Sequence, residues 1–285
     1  MPLPASSASQ RSPLFSGTRA LSRNRLLAAI PEGEYAQLAP LFRREQLEIR
    51  QVIADYDKSI ERVYFPETCV VSLVGAMRDG AAVETASIGN EGFVGHPIFL
   101  GADRMSGQAF CQAPGEAVSL SVDEFRQALA RGGRFPVLLG RYVQALFTFV
   151  SQSSACNRIH AQRERCARWL LLTHDRVGAN DFPLPQLSLA QMLGVRRASV
   201  MEAASALQRL GFIVYAHGRI TIRDRHGLES AACECYRIIR RELDRLLDGH
   251  EAPDPLAGVR VSELGKSTLS DASADEPARD DIKLR

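Results

Sequence analysis

Gly194 sits between two apolar periodicities, and that junction constrains the fold more than any other stretch of the chain. Upstream, Ser188-Leu189-Ala190-Gln191 reads as a capping box that opens a short helix running to about Leu193. Downstream, Val200, Ala203, Ala204, Leu207 and Leu210 recur at helical spacing, which puts Arg197, Ala198, Met201, Glu202 and Ser205 on the opposite face. The glycine permits a tight turn and Val195 can plug the angle between the helices, so the expected unit is a helix-turn-helix. Phe212 to Tyr215 and Arg219 to Ile222 are β-rich runs joined by Ala216-His217-Gly218, a hairpin placed as a wing directly behind that unit.

The charge of this module is uneven. From Ser188 to Arg225 six arginines (196, 197, 209, 219, 223 and 225) face two acids, Glu202 and Asp224, whereas the whole chain carries a formal charge of only +2. Position of charge, not its total, decides whether a protein meets a phosphate backbone. Arg196 and Arg197 also stand where a capping Ser, Thr or Asp is expected, at the positive end of a helix dipole. A broken local rule of this kind marks a functional position, and arginine there is the usual donor to guanine edges and phosphates. The candidate DNA-contacting residues are therefore Arg196, Arg197, Ala198, Ser199 and Glu202, with His217 and Arg219 from the wing.

Upstream of the module the texture is different. Short β-branched and aromatic runs, broken by Gly, Pro and Asp, lie at Gln51 to Ala54, Arg62 to Phe65, Cys69 to Val74, Ala82 to Ile88, Gln108 to Gln112 and Ala117 to Ser121. Closely spaced short strands predict a sandwich or roll. Short helices are expected at Asn24 to Ile30 and Glu34 to Phe42, and a further one capped by Asp123. From Phe135 to about Cys156 a long helix is expected, in which Leu139, Val143, Leu146 and Val150 alternate four and three apart. Such a seam can pair with a second copy, or the helix can pack on its own roll. Another helix, about Ile159 to Asp175, leads into the module, and a last one spans Gly227 to Leu247.

Residues 1 to 20 and 251 to 285 are polar, the latter acidic, and read as a disordered arm and tail of a cytoplasmic protein with no membrane segment. The six cysteines (69, 111, 156, 166, 233 and 235) lack the paired spacing of a zinc site. Cys233 and Cys235 are expected on nearly opposite faces of one helix, a poor chelate, and His160, His174, His217 and His226 have no ligand spacing, so no metal is expected. An enzyme built on a cupin-like roll would need a catalytic constellation, and neither a His-rich metal motif nor GxSxG nor GxxxxGK is present. A non-enzymatic protein is expected.

The run from Leu193-Gly194-Val195-Arg196-Arg197-Ala198-Ser199-Val200 through Leu207-Gln208-Arg209-Leu210-Gly211-Phe212-Ile213 resembles the C-terminal domain of the Crp/Fnr family of bacterial transcription regulators. The likeness extends over roughly residues 22 to 225. It implies an α+β chain: a β-roll sensor resembling cyclic-nucleotide-binding domains at 22–133, a dimerisation helix at 134–157, and a winged helix-turn-helix with an extra C-terminal helix at 158–250. It further implies a homodimer on palindromic double-stranded DNA, with RNA polymerase as a partner. Two departures matter. In familiar members the first helical Arg is followed by Glu and, four residues later, by a second Arg; here those places hold Ala198 and Glu202. Gly89-Asn90-Glu91-Gly92-Phe93-Val94-Gly95 resembles the turn that opens the family's cyclic-phosphate cassette, yet Phe93 stands at the ribose-binding Glu, Met105 at the phosphate-binding Arg and Ser106 at its Ser. Arg104 restores one anchor if the loop has slipped by a residue. Cyclic AMP is therefore not the expected ligand. A less charged molecule near Phe93, Met105 and Phe110, or no ligand at all, is the alternative, and the absence of any Cys before Cys69 argues against the family's N-terminal iron-sulfur cluster.

Overall fold

The structure, a computed structural model, describes residues 22–76 and 82–248; the arm and tail expected at the termini lie outside the described residues. The chain enters through α1 (Arg25–Ala28) and α2 (Glu32–Leu38). Asn24, fully buried, caps α1 by accepting from the Leu26 and Leu27 amides and donates its own amide hydrogens to the Pro66 and Gly92 carbonyls. All its polar capacity is thus used in tying the entry segment to the roll.

The roll consists of two antiparallel sheets. One has β1 (Arg43–Leu47), β7 (Gly115–Ser121) and β3 (Arg62–Pro66) in that order; the other has β2 (Val52–Ala54), β6 (Gln108–Ala113), β4 (Val70–Ala76) and β5 (Ala82–Ile88). The strands expected from the sequence are present, and β1 is an addition. Its sequence, Arg-Arg-Glu-Gln-Leu, is an exposed edge whose register is set by pairing Arg44 with Val118 and Gln46 with Glu116. Between β5 and the one-turn α3 (His96–Phe99) runs the glycine-rich loop. A Cβ added at Gly92 would lie 2.1 Å from Tyr142, and one at Gly95, whose φ is 114°, would lie 2.9 Å from Val63. These glycines let the loop lie flat against neighbouring side chains.

α4 (Val122–Ala130) is capped by Ser121 in a reciprocal box with Glu124, which corrects the cap expected at Asp123. α5 (Arg134–Ile159) follows; its first amides, at Arg134 and Phe135, donate to the Glu34 carboxylate of α2 at 3.0 and 2.8 Å. α5 ends at His160, whose extended backbone turns the chain into α6 (Gln162–Val177), itself closed by Gly178 at φ 67°. β8 (Asp181–Pro183), α7 (Gln186–Leu193), α8 (Arg197–Arg209), β9 (Ile213–Ala216) and β10 (Arg219–Ile222) complete the C-terminal module, with strand order β8-β10-β9. The last helix expected from the sequence is two: α9 (Arg225–Ala231) and α10 (Cys235–Asp248), separated by a turn, with α10 returning along α5 and α6. Among the described residues no helix is long and apolar enough to cross a membrane.

α6 joins the two halves. Trp169 donates its indole N–H to Glu84 of β5 at 2.9 Å, and Ser72 of β4 bonds the same carboxyl. Arg176 is buried, pairs with Glu91 at 2.8 Å, donates to Ser87 at 2.6 Å and lies 5.5 Å over the Phe149 ring. Burial of Glu84 outweighs its hydrogen bonds and pushes its carboxyl up from the ordinary 4.5 to about 7. Between these values the folded protein holds a proton that the unfolded chain has lost, so stability falls as pH rises through that window and levels off above it. Glu84→Gln keeps an acceptor for Trp169 and removes the titration. In denaturant unfolding, the variant should gain on the wild type by at most about 1.4 kcal/mol per pH unit across the window. Parallel pH curves for the two proteins would contradict this account of Glu84.

Candidate nucleic-acid interface

Gly194 closes α7 in the left-handed conformation at φ 63°, Val195 packs on the core between the helices, and α8 starts two residues later. The capping box expected at Ser188 is not the start of α7. Pro185 precedes the first turn, the helix begins at Gln186, and Ser188 is buried in its interior. Pro185 is the N-cap residue, extended at ψ 142°, so Ser188 falls at the third helical position and cannot cap the start. In α8, Val200, Ala203, Ala204 and Leu207 are buried as expected, while Leu210 is the half-exposed C-cap rather than part of the core. The opposite face, with Arg197, Ala198, Glu202, Ser205 and Arg209 exposed and Ser199 and Met201 half-buried, carries a shallow groove between Ala198, Met201, Glu202, Ser205 and Arg209.

The N-terminus of α8 carries no side-chain cap. Arg196 is the N-cap residue, extended at φ −64° and ψ 144°, with its side chain exposed. The first-turn amides and two guanidinium groups therefore face outward together, a ready arrangement for an anion. Arg197 is steadied by Gln186 of α7, whose side-chain oxygen accepts from its Nε at 2.8 Å. The sequence reading missed Gln186 because the two lie eleven residues apart and only the helix-turn-helix angle brings them together.

The wing is a two-residue hairpin in which His217 and Gly218 adopt φ 51° and 71°, the paired left-handed values of a type I′ turn. His217 is exposed at its tip. Arg219, also expected on the DNA, donates through Nε to Asp181 of β8 at 2.9 Å, and Thr221 bonds the other oxygen at 3.0 Å. The arginine and threonine hold the Asp181 carboxyl below its usual range. Arg219 thus joins β10 to β8 and presents less free charge than the sequence reading gave it.

The long helix divides its expected seam. Leu139 and Leu146 are buried in the protomer's own core, which corrects their place in a partner seam, whereas Val143 is half-buried and Val150 exposed. Val137, Phe147 and Val150 form the outward apolar face, with Phe147 69% exposed. The expected ligand residues occupy different settings. Phe93 is fully buried among Phe65, Phe99, Phe125 and Tyr142, with ring centroids 5.5 to 6.3 Å away. Met105 is buried in a bridge to Tyr56, Phe110 is half-buried in β6 opposite Val52 and Ser72, and Ser106 is exposed. Arg104 is exposed, donates to the Asp57 carbonyl at 3.0 Å and lies 3.4 Å from its carboxylate.

One constellation escaped the sequence entirely. Cys156 and His160 at the end of α5 meet Cys233 and Cys235 at the α9–α10 turn, with all four ligand-type atoms within 4.8 Å of one another. The expectation that Cys233 and Cys235 share one helix fails because Cys233 lies in the turn and Cys235 opens α10.

Residues 164–231 match the Crp-like helix-turn-helix domain family. No curated protein matches the chain in sequence. Among solved structures, a CRP-family transcriptional regulator from Thermus thermophilus is similar over 66% of this chain and 96% of its own, with 20% identity and a TM-score of 0.55. The c-di-GMP-responsive global regulator CLP of Xanthomonas campestris is similar over 67% and 99%, with 15% identity and a TM-score of 0.52. The chain therefore carries a Crp-like helix-turn-helix domain, set on the β-roll and long-helix fold that it shares with structures of Crp/Fnr transcription regulators.

Proposed function

We propose that the protein is a homodimeric, sequence-specific transcription regulator that is not an enzyme, reads palindromic double-stranded DNA with paired α8 helices, and contacts RNA polymerase when bound. The observation that carries this reading is the uncapped start of α8, where Arg196 and Arg197 lead an exposed face beside the wing. Arg197 contacts a base, because its guanidinium leads the first turn and is held in place by Gln186. Arg196 and Ser199 contact phosphates. Glu202 faces the groove one turn further on, where a carboxylate accepts from cytosine and repels phosphate. A two-fold dimer supplies the second half-site, and the outward face of α5 around Phe147 and Val150 is the apolar surface for that pairing.

The roll serves as a frame or as a sensor for something other than cyclic AMP. Two features support this: Phe93 fills the place of the ribose anchor with a core aromatic ring, and Arg104 is engaged by Asp57. An enclosed phosphate without a positive partner loses hydration for little return.

Selection from random DNA should enrich an inverted repeat. Arg197→Ala should cost roughly 1 to 3 kcal/mol and relax one base pair per half-site, Arg196→Ala should weaken all sites evenly and flatten the salt slope, and Glu202→Ala should loosen discrimination more than affinity. An enriched motif unchanged by Arg197→Ala would show that α8 is not the reading helix. A further prediction concerns pairing. Wild-type protein should sediment as a dimer at micromolar concentration, and Phe147→Glu, which places a charge on an exposed apolar site without disturbing the protomer core, should yield folded monomers. A wild-type monomer, or a dimer indifferent to Phe147→Glu, would exclude the α5 interface. Calorimetric titration with cyclic AMP should show no submicromolar binding; tight binding would overturn the reading of the roll.

A further inference from the structure

Four potential ligands converge where the long helix ends. Cys156 and His160 are four residues apart, one turn of α5, and so share a face. Ala232 leaves α9 with extended backbone, which places Cys233 in a turn and Cys235 at the first position of α10. Cys156 Sγ and Cys233 Sγ are 3.5 Å apart, as are Cys235 Sγ and His160 Nδ1. The three thiols are buried and reduced.

We propose that Cys156, His160, Cys233 and Cys235 bind a single divalent transition-metal ion of the zinc class, in a closed tetrahedral Cys3His site. A tetrahedron with metal–sulfur bonds of roughly 2.3 Å has edges of roughly 3.8 Å, close to the ligand separations present. An iron-sulfur cluster carries its metals outward from a central core and needs its thiolates well beyond the 4.8 Å limit that holds here. Soft thiolates with one imidazole select zinc-class ions over magnesium or calcium.

The surroundings are those of a ligand set rather than of inert core thiols. Glu234 lies 3.2 Å from His160 Nε2 and accepts a hydrogen bond from its N–H, which leaves the Nδ1 lone pair on the side of the thiols, 3.5 Å from Cys235 Sγ. A carboxylate behind a ligating imidazole is the usual orienting partner in metal sites. Gln152 of α5 donates an amide hydrogen to Cys235 Sγ at 3.1 Å. Two guanidinium groups of α6, Arg165 and Arg168, are buried, and Arg168 donates to Ser153, three residues before Cys156 on α5, at 3.4 Å. Each retains a buried Nε–H without a hydrogen-bond partner. Three thiolates around a divalent ion leave one negative charge, which two buried arginines stabilise. On coordination each thiol releases its proton to solvent, and no oxidant is involved.

The position of the site gives it a consequence. His160 is the hinge residue between α5 and α6, and the ion joins that hinge to the start of α10, which lies along both helices. Occupancy therefore adds a tie between this hinge and α10 to those that α6 already makes with the roll. This inference is independent of how α8 reads DNA.

The test uses the full chain, purified under a non-chelating phosphine reductant and without an affinity tag that binds metal. Elemental analysis should find about one zinc per protomer. After the ion is stripped, cobalt(II) titration should produce tetrahedral d–d bands and thiolate-to-cobalt charge transfer. Cys235→Ser and His160→Ala should weaken cobalt binding by about tenfold or more, Glu234→Gln by about tenfold, and Cys69→Ala in the roll should leave it unchanged. If the ligand variants do not fold, the wild-type titration decides alone. A wild type with no bound zinc and no tetrahedral cobalt spectrum would overturn the proposal. So would iron with acid-labile sulfide, or cobalt affinity unaffected by both ligand substitutions.

Discussion

A guanidinium buried between two domains governs this structure. Arg176 reaches from the last turn of α6 into the roll, where Glu91 and Ser87 receive it beside the Phe149 ring of α5. Breaking a buried pair from one side costs on the order of 3 to 5 kcal/mol, because the remaining charge stays buried and unpaired. That cost fixes where α6 lies, and α6 in turn carries the helix-turn-helix. Trp169, two turns earlier on the same face of α6, repeats the device, with a neutral-leaning Glu84 as its acceptor. Both contacts land on β5 or the loop that follows it, so the DNA-binding module is seated on one edge of the roll rather than strung from the long helix alone.

The same constraint explains the glycine-rich loop. A Cβ at Gly89 would lie 2.4 Å from the Arg176 side chain, and one at Gly92 would enter Tyr142. The glycines that resemble the opening of a phosphate cassette here admit an arginine and a tyrosine from the protein's own helices, and Glu91 between them is committed to Arg176. Phe93 completes the change by filling the roll with an aromatic ring.

Much of the fold was legible in the sequence because its signals were local. Gly194 and the apolar spacing of α8 lie within a single window, and so do the β-branched and aromatic runs of β3, β4 and β5. What escaped was decided by neighbours distant in the chain. β1 and β8 are polar edge segments, Arg-Arg-Glu-Gln-Leu and Asp-Phe-Pro, that become strands only by pairing with β7 and β10. Leu139 and Leu146 fit a partner seam by spacing, but both are buried in the protomer's own core, leaving Phe147 and Val137 outward. The Cys3His constellation spans the end of α5 and a turn 77 residues later, and that turn carries neither Gly nor Pro to announce the break between α9 and α10. Asp181 likewise claims Arg219 from 38 residues away.

The central claim is that two α8 helices read DNA together, each held in place by its own roll. Hydroxyl-radical footprinting of the protein on its selected site tests this most directly. The account predicts two protected segments of equal strength, symmetric about a dyad and centred about one helical turn, roughly 10 base pairs, apart. A single protected segment, or two that are unequal and lack a dyad, would contradict it.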